Sequence, residues 1–273
     1  VTTSVALPWV TPARSASSNG TQAPRTSGAQ AVGTSGASAS GASAPGTSGA
    51  SASGASAPGT IAAVFHPDRL GAQGSFTVAL DLTGGGTTDP SPLLSAVLRL
   101  PAGLGVEVPR LRACEPERLR LLGASGCPPQ SRIGVGRALV RASLGSLLLE
   151  ESISLWVFLG PLRNLQATFE MLAQGYTPFD ERVVLSGAVR PDEPPYSEDL
   201  VLSVPTIPTL PLEPDASIAS MSLTIGASRR AAREANTTVE PTRCPPGGFP
   251  FAAELAYADG STQTISTTSP CPG

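Results

Sequence analysis

Beyond residue 59, apolar and polar positions alternate with a period of two rather than 3.6. In 75–82, Phe76, Val78, Leu80 and Leu82 share one face, and Thr77, Ala79 and Asp81 the other. Leu165, Ala167, Phe169, Met171 and Ala173 make a second such row, and Phe249, Phe251, Ala253, Leu255 and Tyr257 a third. Ala219, Met221, Leu223 and Ile225 form a fourth. The stretch 153–159 is apolar on both faces, which predicts a central strand covered on each side. Between these runs lie turn residues: Gly84-Gly85-Gly86, Pro101-Ala102-Gly103 and the prolines at 191, 194 and 195. Asp259-Gly260 follows the third row and predicts a hairpin, with a type I′ turn as the expected geometry. About ten strands result. Helix is expected only as a short turn near Pro116 and, less naturally, at 227–236. Regularly spaced strands with Gly/Pro turns predict an all-β body at 60–273, an antiparallel β-sandwich of immunoglobulin-like type.

Residues 1–59 follow no such pattern. A 13-residue unit, GTSGASASGASAP, occurs twice in succession from Gly33, and Gly59-Thr60 begins a third copy. Gly, Ala, Ser, Thr and Pro supply no side chains for a core, so ordering them would cost roughly 1–2 kcal/mol per residue without return. A disordered leader is therefore expected, spanning roughly 35–40 Å end to end from 15 to 59. The short apolar run at 4–10 and the small residues around Arg14 are read as the remnant of a secretion signal.

The composition narrows the chemistry. All 18 cationic side chains are arginine, so lysine Schiff-base catalysis is excluded. A net charge of −3 gives no electrostatic reason for a nucleic-acid partner, and no apolar run is long enough to form a membrane helix. One histidine removes multi-histidine metal sites. The four cysteines, Cys114, Cys127, Cys244 and Cys271, allow three pairings. Joining neighbours in sequence closes loops worth about 3 and about 3.6 kcal/mol. The competing zinc site lacks a Cys-x-x-Cys knuckle. Disulfides would place the chain in an oxidising compartment, outside the cell or on its surface.

Leu98-Arg99-Leu100-Pro101-Ala102-Gly103-Leu104-Gly105 and Gly126-Cys127-Pro128-Pro129-Gln130-Ser131-Arg132-Ile133-Gly134 resemble motifs of uncharacterised secreted β-rich proteins of soil actinobacteria. The first is similar to their LPAGL strand end, and the second resembles their Cys-Pro-x-x-Ser-x-Ile-Gly motif. Further similarity runs through the proline-rich segment 202–212, Arg243-Cys244-Pro245-Pro246-Gly247-Gly248-Phe249 and Tyr257-Ala258-Asp259-Gly260-Ser261. The resemblance implies an exported immunoglobulin-like module without assigned chemistry.

A search for catalytic groupings selects none. Gly123-Ala124-Ser125-Gly126 falls short of a nucleophile elbow, and His66 with Asp68 has no nucleophile motif to serve. Asp192, Glu193, Glu198 and Asp199 are dense enough to raise the question of calcium, without EF-hand spacing. Arg229, Arg230 and Arg233 read as a solvated turn beside Glu234. Pro205, Pro208, Pro211 and Pro214 recur every third residue and predict an extended connector along a sheet edge. No catalytic, cofactor-binding or metal-ligating residue is assigned. The expectation is a secreted or cell-surface, non-enzymatic module with a structural or adhesive role, its partner a cell-envelope polymer or surface protein. The alternative is an extracellular carbohydrate- or ligand-binding module, using Trp156, Tyr176, Tyr196 or Tyr257 as stacking platforms.

Overall fold

The computed structural model describes residues 59–84, 90–107, 112–145, 147–176, 181–207, 209, 215–226 and 238–273. The repeat leader, the 227–236 segment with its three arginines, and Pro208, Pro211 and Pro214 lie outside the described residues. Thirteen strands are present among the described residues. The first four are β1 (Thr60–His66), β2 (Ser75–Asp81), β3 (Leu93–Pro101) and β4 (Leu104–Glu107). A short helix, α1 (Pro116–Leu122), precedes the long hairpin of β5 (Arg132–Leu144) and β6 (Leu147–Leu159). Then come β7 (Thr168–Gln174), β8 (Arg182–Pro191), β9 (Tyr196–Ser203) and β10 (Ser217–Gly226). The chain closes with β11 (Thr238–Pro241), β12 (Phe249–Tyr257) and β13 (Thr262–Ser269).

Eleven of these strands join one sheet in the order β1-β2-β10-β5-β6-β7-β8-β9-β3-β12-β13. Every neighbouring pair is antiparallel. The outermost strands, β1 and β13, pack against each other, so the sheet curls into a barrel. With an odd number of alternating strands, β1 and β13 run in the same direction at this seam. The all-β antiparallel expectation stands, but the two-layer immunoglobulin-like sandwich gives way to one continuous, barrel-like sheet. The physical reason is simple. Alternation tells that one face is buried, and is silent on whether that face meets a second sheet or its own far edge.

Inward rows line the barrel. Ile61 and Phe65 on β1, Phe76, Val78 and Leu80 on β2, and Phe251, Ala253 and Leu255 on β12 belong to one buried core. Phe65 packs on Phe249 and Phe251 with ring centroids 5.0 and 6.3 Å away, and Phe76 stacks on Phe251 at 6.1 Å. Such pairs add about 0.5–1.5 kcal/mol each beyond the area they bury. This aromatic end is plugged by the two-stranded β4–β11 sheet, which buries Val106 and Val239. Outward rows are polar or mixed: Thr77 bonds Thr224, Arg141 pairs with Glu150, and Arg137 lies between Ser222 and Ser154. That is the reverse of a lipid-facing barrel, whose apolar row points out. No helix among the described residues is long and apolar enough to cross a membrane.

One stretch of the outer face is apolar and is covered. Trp156, Phe158, Leu172 and Val184 meet Cys114, Leu119 and Cys127, so 153–159 is the doubly covered strand its composition predicts. Helix α1 begins with Pro116 at its first turn, where the missing N–H costs nothing. At seven residues it is too short to stand alone and depends on this packing. The Cys114–Cys127 disulfide joins the segments on either side of it, and the Cys114 N–H donates to Leu159 O at 2.8 Å. The second disulfide, Cys244–Cys271, ties the approach to β12 to the end of β13.

Two turns differ from expectation. At Asp259-Gly260 the hairpin forms, but only Gly260 takes positive φ (82°), and its N–H bonds Tyr257 O. A type I′ turn would need positive φ at Asp259 too. That pattern appears instead in the β6–β7 hairpin, at Asn164 (φ 50°) and Leu165 (φ 64°). Leu165 consequently leaves the apolar row of β7 and is 88% exposed.

Two sets of variants test this packing. Gly187 on β8 faces Phe169 across the ladder, and a methyl group there would collide with the Phe169 ring. Gly187→Ala is expected to lower stability by about 1–3 kcal/mol in chemical denaturation. In β13, Ile265 is the buried aliphatic side chain among Thr, Ser and Gln. Cys271→Ser should therefore fray β13 and cost about 2–4 kcal/mol. Cys127→Ser should loosen mainly the α1 segment, and hydrogen exchange resolved by peptide will separate the two effects.

Candidate functional site

The inward row of β5 is Gly134, Gly136, Ala138 and Val140, set opposite Val157, Leu155, Ile153 and Glu151 of β6. Across β10, Ile225 and Leu223 lean over the two glycines, where a Cβ would strike their side chains. Small residues recur elsewhere on the inner wall, at Ala96, Ala167, Ala173 and Ala253. An eleven-stranded barrel lined this way is wider than its side chains can fill. Two cavities result.

The upper cavity, of about 120 Å³, lies toward the plugged end among Phe76, Leu100, Val106, Ile133 and Phe169. None of its lining residues is exposed, and Thr168 is the sole polar one. The Thr168 hydroxyl is already committed, donating to Pro161 O at 2.6 Å. The lower cavity, of about 210 Å³, lies toward the other end among Val140, Ile153, Ala173, Val183 and Ile218. Val204, Pro205, Ile207 and Thr209 of the β9–β10 connector form part of its wall. β9 and β10 stand five places apart in the sheet, and the described part of their connector lies on this cavity wall. Pro205 and Glu181 line the cavity and are exposed, which brings it to the surface there. Met171 on β7, 3% exposed, lines both cavities and stands between them.

The lower cavity has a polar rim. Glu151, 5% exposed, accepts a hydrogen bond from the Tyr176 N–H at 2.7 Å through Oε1. Glu181 stands at the β7–β8 turn, where its carbonyl accepts from Gly175 N at 2.9 Å.

The acidic segment singled out by its density is divided by the strand itself. Successive side chains point to opposite faces, so Glu198 joins the inward row with Leu200 and Leu202, while Asp199 faces out. Asp199 stands close to Asp192, and Arg99 from β3 lies 4.0 Å from Asp192 and 2.7 Å from Glu254, over the ring of Tyr196. Burial, then the charge of Asp192, raises the Asp199 carboxyl above its ordinary range. Among the described residues no three Asp, Glu, His or Cys side chains converge on a cation position. Glu198 sits beside Leu100 and Pro191, 6% exposed, with Oε2 lacking a hydrogen-bond partner. Burial, with a smaller push from Asp199, raises its carboxyl to about 7. Glu170 is a second buried acid, on the outer face beside Phe158. Burial raises its carboxyl, against a hydrogen bond from Ser186.

The remaining candidates are dispersed. His66 ends β1 and is exposed, as is Asp68 in the following turn. Ser125 donates to Leu122 O in a short 3-10 turn after α1. Of the possible stacking platforms, Trp156 lies against the α1 cluster, Tyr196 carries Arg99, and Tyr257 is buried with its hydroxyl on Gln263. Tyr176 alone of these is exposed, at 61%. Neither Met171 nor Glu151 was signalled by any motif. The signal that existed was the Gly-x-Gly-x-Ala spacing of 134–138, which marks a strand with a small-residue face.

Glu198 generates a pH prediction. Its carboxyl is near 4.5 when unfolded and about 7 when folded, so the folded chain holds the proton more tightly. Its contribution to stability is complete below about pH 4.5, falls as pH rises to about 7, and is level above that. At roughly 1.4 kcal/mol per pKa unit, Glu198→Gln should gain up to about 3.5 kcal/mol over the parent at pH 8 and little at pH 4. Urea denaturation at the two pH values measures the difference.

Comparison of this chain with protein-family models, with curated proteins and with solved structures finds no match, so the chemistry of the barrel is the guide to what it does.

Proposed function

We propose that this chain is an exported, non-enzymatic binding module that takes a small apolar molecule into its barrel. The observation that carries the reading is the pair of adjoining cavities sharing Met171, both walled mainly by apolar side chains. Apolar walls with a few placed polar groups are the usual make-up of a ligand pocket. Leaving enclosed apolar volume unfilled costs about 24 cal/mol per Å³, on the order of 3 kcal/mol for the upper cavity alone. That is a large fraction of the roughly 5–15 kcal/mol by which domains are stable. Sealing the barrel with larger side chains would be the simpler solution for a purely structural part. Export is supported by the two disulfides, which need an oxidising compartment, and by the likeness of the motifs to secreted actinobacterial β-rich proteins. In this reading the repeat segment serves as the leader that spaces the barrel from its attachment point.

A structural or adhesive role is the second reading, favoured by Leu162 and Leu165 at the β6–β7 turn, 60% and 88% exposed. It has no need of the cavities.

Titration with a neutral environment-sensitive dye, N-phenyl-1-naphthylamine, tests the first reading. Saturable one-site enhancement is expected, weakened at least tenfold by Ala138→Leu, which fills the lower cavity, with the melting temperature held or raised. Absence of saturable binding, or binding indifferent to Ala138→Leu, would overturn it.

A further inference from the structure

Two features of the cavities, taken together, restrict the kind of molecule that fits. Among the described residues, the charged side chains on the wall of the lower cavity are both carboxylates, Glu151 and Glu181, and no arginine lines it. Glu151 is nearly sealed from water, so its oxygens meet an occupant in a medium of low dielectric. There, like charges repel far more strongly than at a surface. The second feature is Met171. An unbranched thioether with three rotatable bonds is the side chain most easily displaced without a backbone shift. It stands where the lower cavity meets the upper one, and beyond it the only polar side chain on the wall, Thr168, is already bonded.

Resting on the ligand-binding reading above, we infer that the barrel binds a single-chain amphiphile with a hydrogen-bond-donating, uncharged or cationic head, an alcohol or amine, and rejects carboxylate heads. The head lies at Glu151 and Glu181, which accept from it. The chain runs inward past Met171 into the upper cavity. A fatty acid placed the same way sets its carboxylate against two carboxylates, Glu151 and Glu181, with no arginine among the described lining residues to attract it. The reversed orientation puts the carboxylate in the apolar upper cavity, which is worse.

Calorimetric titration of the full chain with dodecylamine, 1-dodecanol and dodecanoate, each below its micelle concentration, tests the assignment. Dodecylamine and dodecanol should bind at least tenfold tighter than dodecanoate. In Glu151→Gln/Glu181→Gln the gap between amine and carboxylate should shrink to within about threefold while dodecanol is little changed. Affinity should rise steadily from hexylamine to dodecylamine in the parent. In Met171→Trp it should level off, because the indole closes the passage, while hexylamine binding is retained. Equal or tighter binding of dodecanoate, or a gap that survives the double substitution, overturns the inference. The neutral dye separates the two failures. If it binds and the head preference is missing, only the inference falls. If neither the dye nor any amphiphile binds, the ligand-binding reading falls with it.

Discussion

Closure of one antiparallel sheet around an apolar interior is the constraint on which everything else in this protein rests. Most of the eleven strands turn an apolar row inward, and the seam between β1 and β13 must bring two strands of the same direction side by side. Phe65, Phe76, Phe249 and Phe251 sit at that seam or on its neighbours β2 and β12. The four phenylalanines therefore do two things. They contribute buried area, and they hold the closing strands together where no backbone ladder joins them among the described residues.

The same closure creates a conflict. A barrel of this strand number has more internal volume than a compact core needs, and the β5 row of two glycines and an alanine widens it further. Gly187 shows the opposite use of a missing side chain: it makes room for the Phe169 ring, so the space is filled from across the ladder. Gly134 and Gly136 likewise admit Ile225 and Leu223, yet Ala138 and Ala173 lower down leave space unfilled. Small residues are thus not equivalent. Their effect depends on whether a large neighbour lies opposite.

Polar groups within the barrel are few, and the structure treats them differently. Glu151 has a backbone N–H to accept, near an opening. Glu198 lies at the far end, with one oxygen unpartnered, and responds to burial by holding its proton. The outer surface shows the corresponding economy. Its one apolar stretch is covered by a helix too short to persist alone, and a disulfide brackets that helix.

The period of two in 75–82, 219–225 and 249–257 was enough to establish the strands, and the apolar residues on both faces of 153–159 enough to show a strand covered twice. Hairpin and disulfide positions followed from Asp259-Gly260 and from cysteine spacing, because both are local properties of the chain. What alternation could not carry is the order of strands. Pairing of β2 with β10 and of β3 with both β9 and β12 depends on contacts distant in sequence, and these turn a sheet into a barrel. Residue density also misled about Asp192, Glu193, Glu198 and Asp199, since a strand sends adjacent side chains to opposite faces and separates what composition groups together. The cavities were the least legible feature of all. A cavity is set by what stands opposite each small residue, and only the closed tertiary structure decides which residues face one another across the interior.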